Sequence, residues 1–294
     1  MPLRDKLLAV SVAVLWGVNF LAIHAGLEHF PPVFFAALRF AVIAVPTLLL
    51  VPRPDVALRW LLGYGIGFGT VQFGFLFVAM DVGMPTGLAS LVLQASAPFT
   101  VLLGALLLRE RLVARQVAGI AMAIVGLVVI GAHRAQTAAL LPVVLTLLAA
   151  LGWAFGNLAS RMARTDEPLR LVLWMSVIPP VPLFLLSAII EGPTTGLQAS
   201  GELLQGHAWT AFWGLTYVVL LGTLLGSGLW TALMRRHPAG VVAPYSLLVP
   251  VVGMFAAWLA LNEQPDATEL AAGVVIVLGV LLGSPRPPAI PVTR

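Results

Sequence analysis

Apolar residues fall in long unbroken runs along this chain, set apart by short polar or proline-bearing breaks. Runs of roughly 17–25 such residues are long enough to cross a hydrocarbon layer as helices. Ten are found, approximately Leu7–Gly26, Val33–Val51, Leu61–Met80, Thr86–Leu108, Gln116–Ala132, Leu140–Ser160, Leu171–Ile190, Trp209–Leu233, Gly240–Leu261 and Ala267–Gly283. We label them α1–α10. The first is expected to stay as a span. It is longer than the apolar part of a secretory leader, carries Trp16, Asn19 and His24, and has no small-residue cleavage site after it.

The pattern repeats half a chain later. MPTGLASLVLQASAPFTVLLGALLLRE at Met84–Glu110 is matched by HPAGVVAPYSLLVPVVGMFAAWLALNE at His237–Glu263. Pro85 and Pro238, Gly87 and Gly240, and Glu110 and Glu263 are each 153 positions apart. Ala118 with Ala271 and Gly126 with Gly279 keep the same spacing, while the interior prolines, Pro98 and Pro250, slip by one. Duplication at this scale sets the fold. The chain divides into a first repeat at 1–137, a second at 138–284 and a Pro-rich segment at 285–294 expected to be a disordered cytoplasmic tail. Five spans per repeat is an odd number, so the second repeat enters the membrane from the opposite face, the inverted arrangement of many secondary transporters. The polar loop Glu191–His207 has no counterpart in the first half.

Composition and charge sharpen this picture. The chain is 60% hydrophobic and 10% charged, against about 25% charged in ordinary soluble domains. A net charge of +4 would suggest nucleic acid for a soluble protein, but here it marks topology, and no nucleic-acid partner is expected. With ten spans, Arg134 alone of the 16 Lys and Arg residues falls on one side; Arg39 lies within a span and the remainder crowd the other side. Positive loops stay cytoplasmic, which places both termini in the cytoplasm. The chain has no cysteine, so disulfides and thiolate metal sites are excluded.

Polar side chains within spans are costly unless paired or facing water, which makes each one informative. Trp16 and Asn19 share one face of α1, and α6 repeats the idea with Trp153 and Asn157. Ser90, Gln94 and Pro98 form a stripe on α4. Helix α9 offers Tyr245, Ser246 and Pro250, α3 offers Tyr64, Thr70 and Gln72, and α8 offers Thr216, Tyr217, Thr223, Ser227 and Trp230. We expect Trp16, Asn19, Gln72, Gln94, Pro98, Trp153, Asn157, Tyr245, Ser246 and Pro250 to line a central cavity formed by the first four helices of each repeat. Structural bonding across helices is the competing role for any single Asn, Ser or Thr. Proline within a span frees a carbonyl and kinks the helix. Helices α5 and α10 carry small-residue spacings, Gly119-x-x-x-Ala123 and Gly279-x-x-x-Gly283, read as packing within a subunit outside the cavity, with a monomer as the working expectation. Glycines at 63, 65, 67 and 69 point to close backbone approach or bending in α3.

Arg39 is expected to snorkel to the outer headgroups or to bond helix-end carbonyls, with contact to a substrate carboxylate as the second reading. All 12 acidic residues fall in loops or at helix ends. No carboxylate is therefore placed to carry a proton through a span; His24, near the outer end of α1, is the remaining candidate, with a structural role as the competing reading. Uniport or exchange down a gradient, or protonation at a peripheral group, is the reading that follows, for a neutral or zwitterionic molecule with an apolar side chain. An intramembrane enzyme would need paired Asp, a His/Glu zinc motif or a Ser/Lys or Ser/His pair in the spans. None is present, and no cofactor or metal is expected.

LWGVNFLAIHAG in α1, LRF in α2, MPTGLASLVLQASAPFTVLLGALLLRERL in α4 and the partner ending in LALNEQP together resemble the EamA family of the drug/metabolite transporter superfamily, from Leu7 nearly to Gly283. The resemblance implies an all-α integral membrane protein of the bacterial inner membrane. It implies ten transmembrane helices in two inverted five-helix repeats around a central cavity, exporting small metabolites, most like the superfamily's exporters of aromatic amino acids. Trp16, Asn19, Arg39, Gln94, Pro98, Glu110, Trp153, Pro250 and Glu263 match the family pattern, with Gly156 standing where an asparagine parallel to Asn19 would fall. The partners expected are a small-molecule substrate and the lipid bilayer. A multidrug or nucleotide-sugar carrier is the alternative, although a nucleotide sugar would need more basic groups than Arg39.

Overall fold

The computed structural model describes residues 1–137, 139–204, 208–237 and 239–283. The tail expected at 285–294, with Pro238 and the side chain of Arg134, lies outside the described residues. The ten elements are α1 at Leu3–Leu27, α2 at Pro32–Leu50, α3 at Leu58–Asp81, α4 at Thr86–Leu108, α5 at Ala114–Thr137, α6 at Leu141–Ala163, α7 at Pro168–Ile190, α8 from Trp209 to Arg236, α9 from Ala239 to Leu261 and α10 at Ala267–Gly283. Among the described residues, nine helices are long and apolar enough to cross a membrane, α10 is an apolar helix of 17 residues, and there is no strand. The protein is a multi-pass, all-helical membrane protein.

The local sequence sets where the helices start and stop. Prolines open α2, α6 and α7 at positions where a missing N–H costs nothing. Left-handed residues close α4, α6 and α9, namely Arg109 (φ 56°), Arg164 (φ 47°) and Asn262 (φ 54°). Arg109 and Asn262 are themselves 153 apart. After each turn the next N–H, of Glu110 or Glu263, reaches back to Gly104 or Ala257, so the two turns match in their backbone bonding.

Side-chain contacts sort the helix ends into two layers. One holds Asp5 beside Arg236 and His237, Glu110 beside Arg161, and the Trp174 indole on the Val51 and Pro52 carbonyls. The other holds Glu191 on the start of α2, Glu263 on the start of α4, His133 beside Asp266, and His29 on the Ala199 carbonyl. Between the layers the outer surface is apolar, with Ile189 80% and Leu50 79% exposed, as lipid requires. Helices α5 and α10 lie backbone to backbone, since a Cβ on Gly119 would stand 2.5 Å from the Gly279 carbonyl and one on Gly279 would stand 2.7 Å from the Ala123 nitrogen. The small-residue spacings are therefore used within the chain.

Two local features depart from the sequence reading. Helix α7 is broken between Met175 and Pro180, because adjacent Pro179 and Pro180 withhold two N–H donors. The polar loop Glu191–His207 contains a short helix at Thr195–Leu204, whose Gly196 lies against the Phe34 ring.

Candidate functional site

Helix α8 changes geometry at mid-span, running as π-helix over Tyr217–Leu225. Such a stretch spaces its carbonyls one residue wider and marks functional positions often enough to be followed up. The hydroxyl of Thr223 donates to Val218 O, five residues back, at 2.8 Å. Three side chains from other helices converge on Gly222 and Thr223. Trp16 Nε1 donates to Gly222 O at 2.9 Å. The Asn19 amide lies flat against Gly222, where a Cβ would stand 2.2 Å from its Oδ1, and that oxygen is buried with no partner. Arg39 Nη2 donates to Thr223 Oγ1 at 2.8 Å. Trp230, one turn beyond the π-helix, sets its ring 5.2 Å from that of Trp16, and Tyr217 OH donates to Leu15 O at 3.1 Å.

The snorkelling expected of Arg39 is not what the structure shows. The residue is 3% exposed, and its guanidinium carbon sits 3.9 Å from the centre of the Phe73 ring and 4.9 Å from that of Phe40. Aromatic faces are the cheapest apolar neighbours for a cation. They turn the side chain inward, away from the headgroups.

Helix α3 has its own π-helical stretch at Gly65–Gln72, in which Thr70 Oγ1 donates to Gly65 O, again five residues back, at 3.4 Å. Thr70 and Thr223 are 153 apart, as are Gly65 and Val218. Here helix α6 presses against the stretch. Trp153 meets Phe68 edge to face at 6.0 Å, and a Cβ on Gly67 would stand 2.8 Å from Gly156 N and 2.9 Å from Gly152 O. Gly156 departs from Asn19 for this reason: a Cβ there would stand 2.6 Å from that of Phe68. Asn157 Nδ2 donates to Thr100 Oγ1 at 3.1 Å, and Gln72, 2% exposed, leaves its Oε1 without a partner.

The two interior prolines are each preceded by a 3-10 turn. Gln94 lies in the turn Leu93–Ala95 before Pro98, and Tyr245 and Ser246 lie in the turn Ala243–Leu247 before Pro250. A proline ring clashes with the carbonyl four residues back, here that of Gln94 or Ser246, and the tighter turn relieves the clash. Tyr245 and Trp230 pack on a small cluster of Ala9, Leu233 and Val242. His24 stands 3.8 Å from Glu28 on the last turn of α1, away from the interior.

The motif carboxylates lie at the ends. Glu263 accepts the N–H groups of Thr86 at 2.8 Å and Gly87 at 2.9 Å, satisfying orphan donors and placing a charge where the α4 dipole favours it. Glu191 does the same for Val33 and Phe34 of α2 at 2.7 and 3.0 Å. Glu110, in the opposite layer, pairs with Arg161. In that layer a cavity of about 420 Å³ opens between α7 and α8, lined by Asp166, Glu167, Arg170 and Thr231 among others. A smaller one of about 140 Å³ lies beside Glu263.

Of the residues expected to line one cavity, Trp16 and Asn19 are brought together, with Arg39 added. Trp153 and Asn157 sit on the α3 and α4 side, and Gln94, Tyr245 and Ser246 on the two 3-10 turns. Thr223 and Trp230 were visible as polar positions of α8, but nothing in the sequence marked them as the hub; Thr100 and Glu191 carried no signal. Among the described residues no cluster of three His, Asp or Glu could hold a metal ion.

A helical membrane protein with polar side chains gathered at mid-span has the form of a small-molecule carrier. The chain belongs to the EamA-like transporter family, whose model matches residues 6–132 and again 140–284. It is a transporter, embedded in a membrane and acting on small molecules, and not an enzyme. It is 42% identical over 288 residues to the "Probable amino-acid metabolite efflux pump" of Escherichia coli (strain K12), covering 96% of this chain and 95% of that one. The protein of the same name from Salmonella typhimurium is also 42% identical, over the same shares. "Uncharacterized transporter YoaV" of Bacillus subtilis (strain 168) is 24% identical over 94% of each chain. A solved crystal structure at 23% identity superposes with a TM-score of 0.51, covering 95% of this chain and 96% of that one, a likeness of fold alone.

Proposed function

We propose that the protein exports hydrophobic or aromatic amino acids and related metabolites across the bacterial inner membrane by alternating access. Ten spans in two inverted five-helix repeats, with both termini cytoplasmic, form the frame. The two family-model matches, the 153-residue spacing shared by the π-helical threonines and the Glu-bearing turns, and the basic loops support that frame. The observation that carries the functional reading is the convergence of Trp16, Asn19 and Arg39 on Gly222 and Thr223, an aromatic face beside unsatisfied polar atoms. The names of the Escherichia coli and Salmonella relatives support an amino-acid-related substrate, and the aromatic faces at the hub favour an apolar side chain. Counterflow in proteoliposomes loaded with Phe, Trp, Met or Thr tests the reading. Exchange of at least one labelled amino acid is expected, and exchange of none overturns it.

A further inference from the structure

Arg39 is a charged side chain buried two turns inside α2, and its Nε and Nη1 have no partner. Burying a cation costs several kcal/mol unless an anion and further acceptors answer it. One threonine hydroxyl and three phenyl rings are an incomplete answer. No carboxylate of this chain can complete it, because every Asp and Glu lies in a loop or near a helix end. The missing anion therefore comes from outside. One residue along, against Gly222, the Asn19 Oδ1 is a buried acceptor with no donor. An unsatisfied cation and an unsatisfied acceptor thus flank two consecutive residues of the α8 π-helix.

From this we infer that Arg39 and Asn19 form a clamp for the head of an α-amino acid, Arg39 binding the carboxylate and Asn19 Oδ1 the ammonium. The inference deepens the export reading and rests on it. A guanidinium presents parallel N–H groups that suit a carboxylate. A neutral amide oxygen suits an ammonium without adding a fixed charge. The indole of Trp16, bonded to Gly222, and that of Trp230 beside it, one turn further along α8, stand near to take the side chain. A carboxylate-free amine satisfies only half of the clamp, so the substrate class is carboxylate-bearing.

The test uses the full-length protein in detergent and in proteoliposomes, with phenylalanine, 3-phenylpropionate and phenylalaninamide as probes. In detergent, 3-phenylpropionate and phenylalanine are expected to raise the melting temperature while phenylalaninamide, at equal concentration, leaves it unchanged. Arg39→Gln abolishes the response to both carboxylates, Arg39→Lys keeps part of it, and Asn19→Ala weakens phenylalanine at least tenfold while sparing 3-phenylpropionate. Discrimination of acid from amide by the wild-type protein carries the test should Arg39→Gln not fold. Equal responses to acid and amide, or none to either, overturn the clamp. Should no amino acid exchange in proteoliposomes while 3-phenylpropionate still stabilises the wild type but not Arg39→Gln, the anion site stands and the export of amino acids falls.

Discussion

Helices α3 and α8 both widen into π-helix at mid-span, and in each a threonine 153 residues from its counterpart bonds the carbonyl five residues back. What meets the widened turn differs. Against α3 comes the backbone of α6, through Gly152 and Gly156, leaving no room for a side chain. Against α8 come the indole of Trp16, the amide of Asn19 and the guanidinium of Arg39. One deformation serves as a packing seam in the first half of the chain and as a polar hub in the second. Duplication copies a backbone shape, whereas the residues placed around it decide whether the freed polar groups are buried for stability or held for a ligand.

The sharpest way to break this comparison is to add one methyl group to each side. In Gly67→Ala the new Cβ meets backbone at 2.8–2.9 Å, which can yield only by parting α3 from α6. Overpacking of this kind costs about 3 kcal/mol or more, read as a large fall in melting temperature or loss of monodisperse protein. In Gly222→Ala the Cβ meets the far end of the Asn19 side chain, which can turn aside. We expect that variant to fold and to lose counterflow at least tenfold. Gly228→Ala, whose Cβ meets nothing within 4 Å, is the neutral control. Equal destabilisation at 67 and 222 would show that both stretches are seams.

The threonines give the next largest difference. Thr223→Val removes the one hydrogen-bond acceptor of a buried cation, a loss of about 1.5–3 kcal/mol for a bond to a charged group. Thr70→Val removes a long neutral bond of 3.4 Å and should cost about 0.5 kcal/mol or less. Thermal melts of the two variants, side by side, check the ratio. If Thr70→Val proves the worse, the polar hub is misplaced.

How much of this was legible in the sequence follows from the same physics. Span positions were readable because hydropathy over some 20 residues is a sum that tolerates local error, and the α5–α10 contact because glycine spacing is itself the contact surface. The glycines of α3 announced close approach, but the π-helix of α8 carries one glycine among large apolar residues and no periodic signal. Whether Asn157 bonds Thr100 while Asn19 bonds nothing depends on which neighbour stands opposite, a fact no single helix records. Arg39 misled for a related reason. Its depth of about 10 Å from the start of α2, at 1.5 Å per residue, allowed snorkelling, and only the rings of Phe40 and Phe73 decided its direction.

The end carboxylates extend the contrast at smaller scale. Glu263 bonds two α4 N–H groups, so Glu263→Gln should cost about 1 kcal/mol through loss of charge-assisted bonds and of the dipole interaction. Glu110 pairs with a half-exposed Arg161, and Glu110→Gln should stay within about 0.5 kcal/mol. Melting temperatures of the two variants test this, and a reversal would mean that Glu110, not Glu263, holds an end closed in the state that predominates.

The smallest effect is expected outside both π-helical stretches, where α5 meets the start of α10. Asp266 accepts the backbone N–H of Glu269 at 2.9 Å, and this bond, with that from Thr268 and the neighbouring His133, holds its carboxyl below the ordinary 3.8. A carboxylate whose value is depressed on folding contributes stability that is present above its unfolded value and lost as pH falls through the folded one. Wild type and Asp266→Asn should therefore melt alike between about pH 5 and 7, since asparagine caps a helix nearly as well as aspartate. Below about pH 4 only the wild type should lose its margin, because the amide has no carboxylate to protonate. Counterflow should be unchanged at every pH where both fold. A transport defect in Asp266→Asn would place α10 inside the moving core, and the division between hub, seam and outer pair would have to be redrawn.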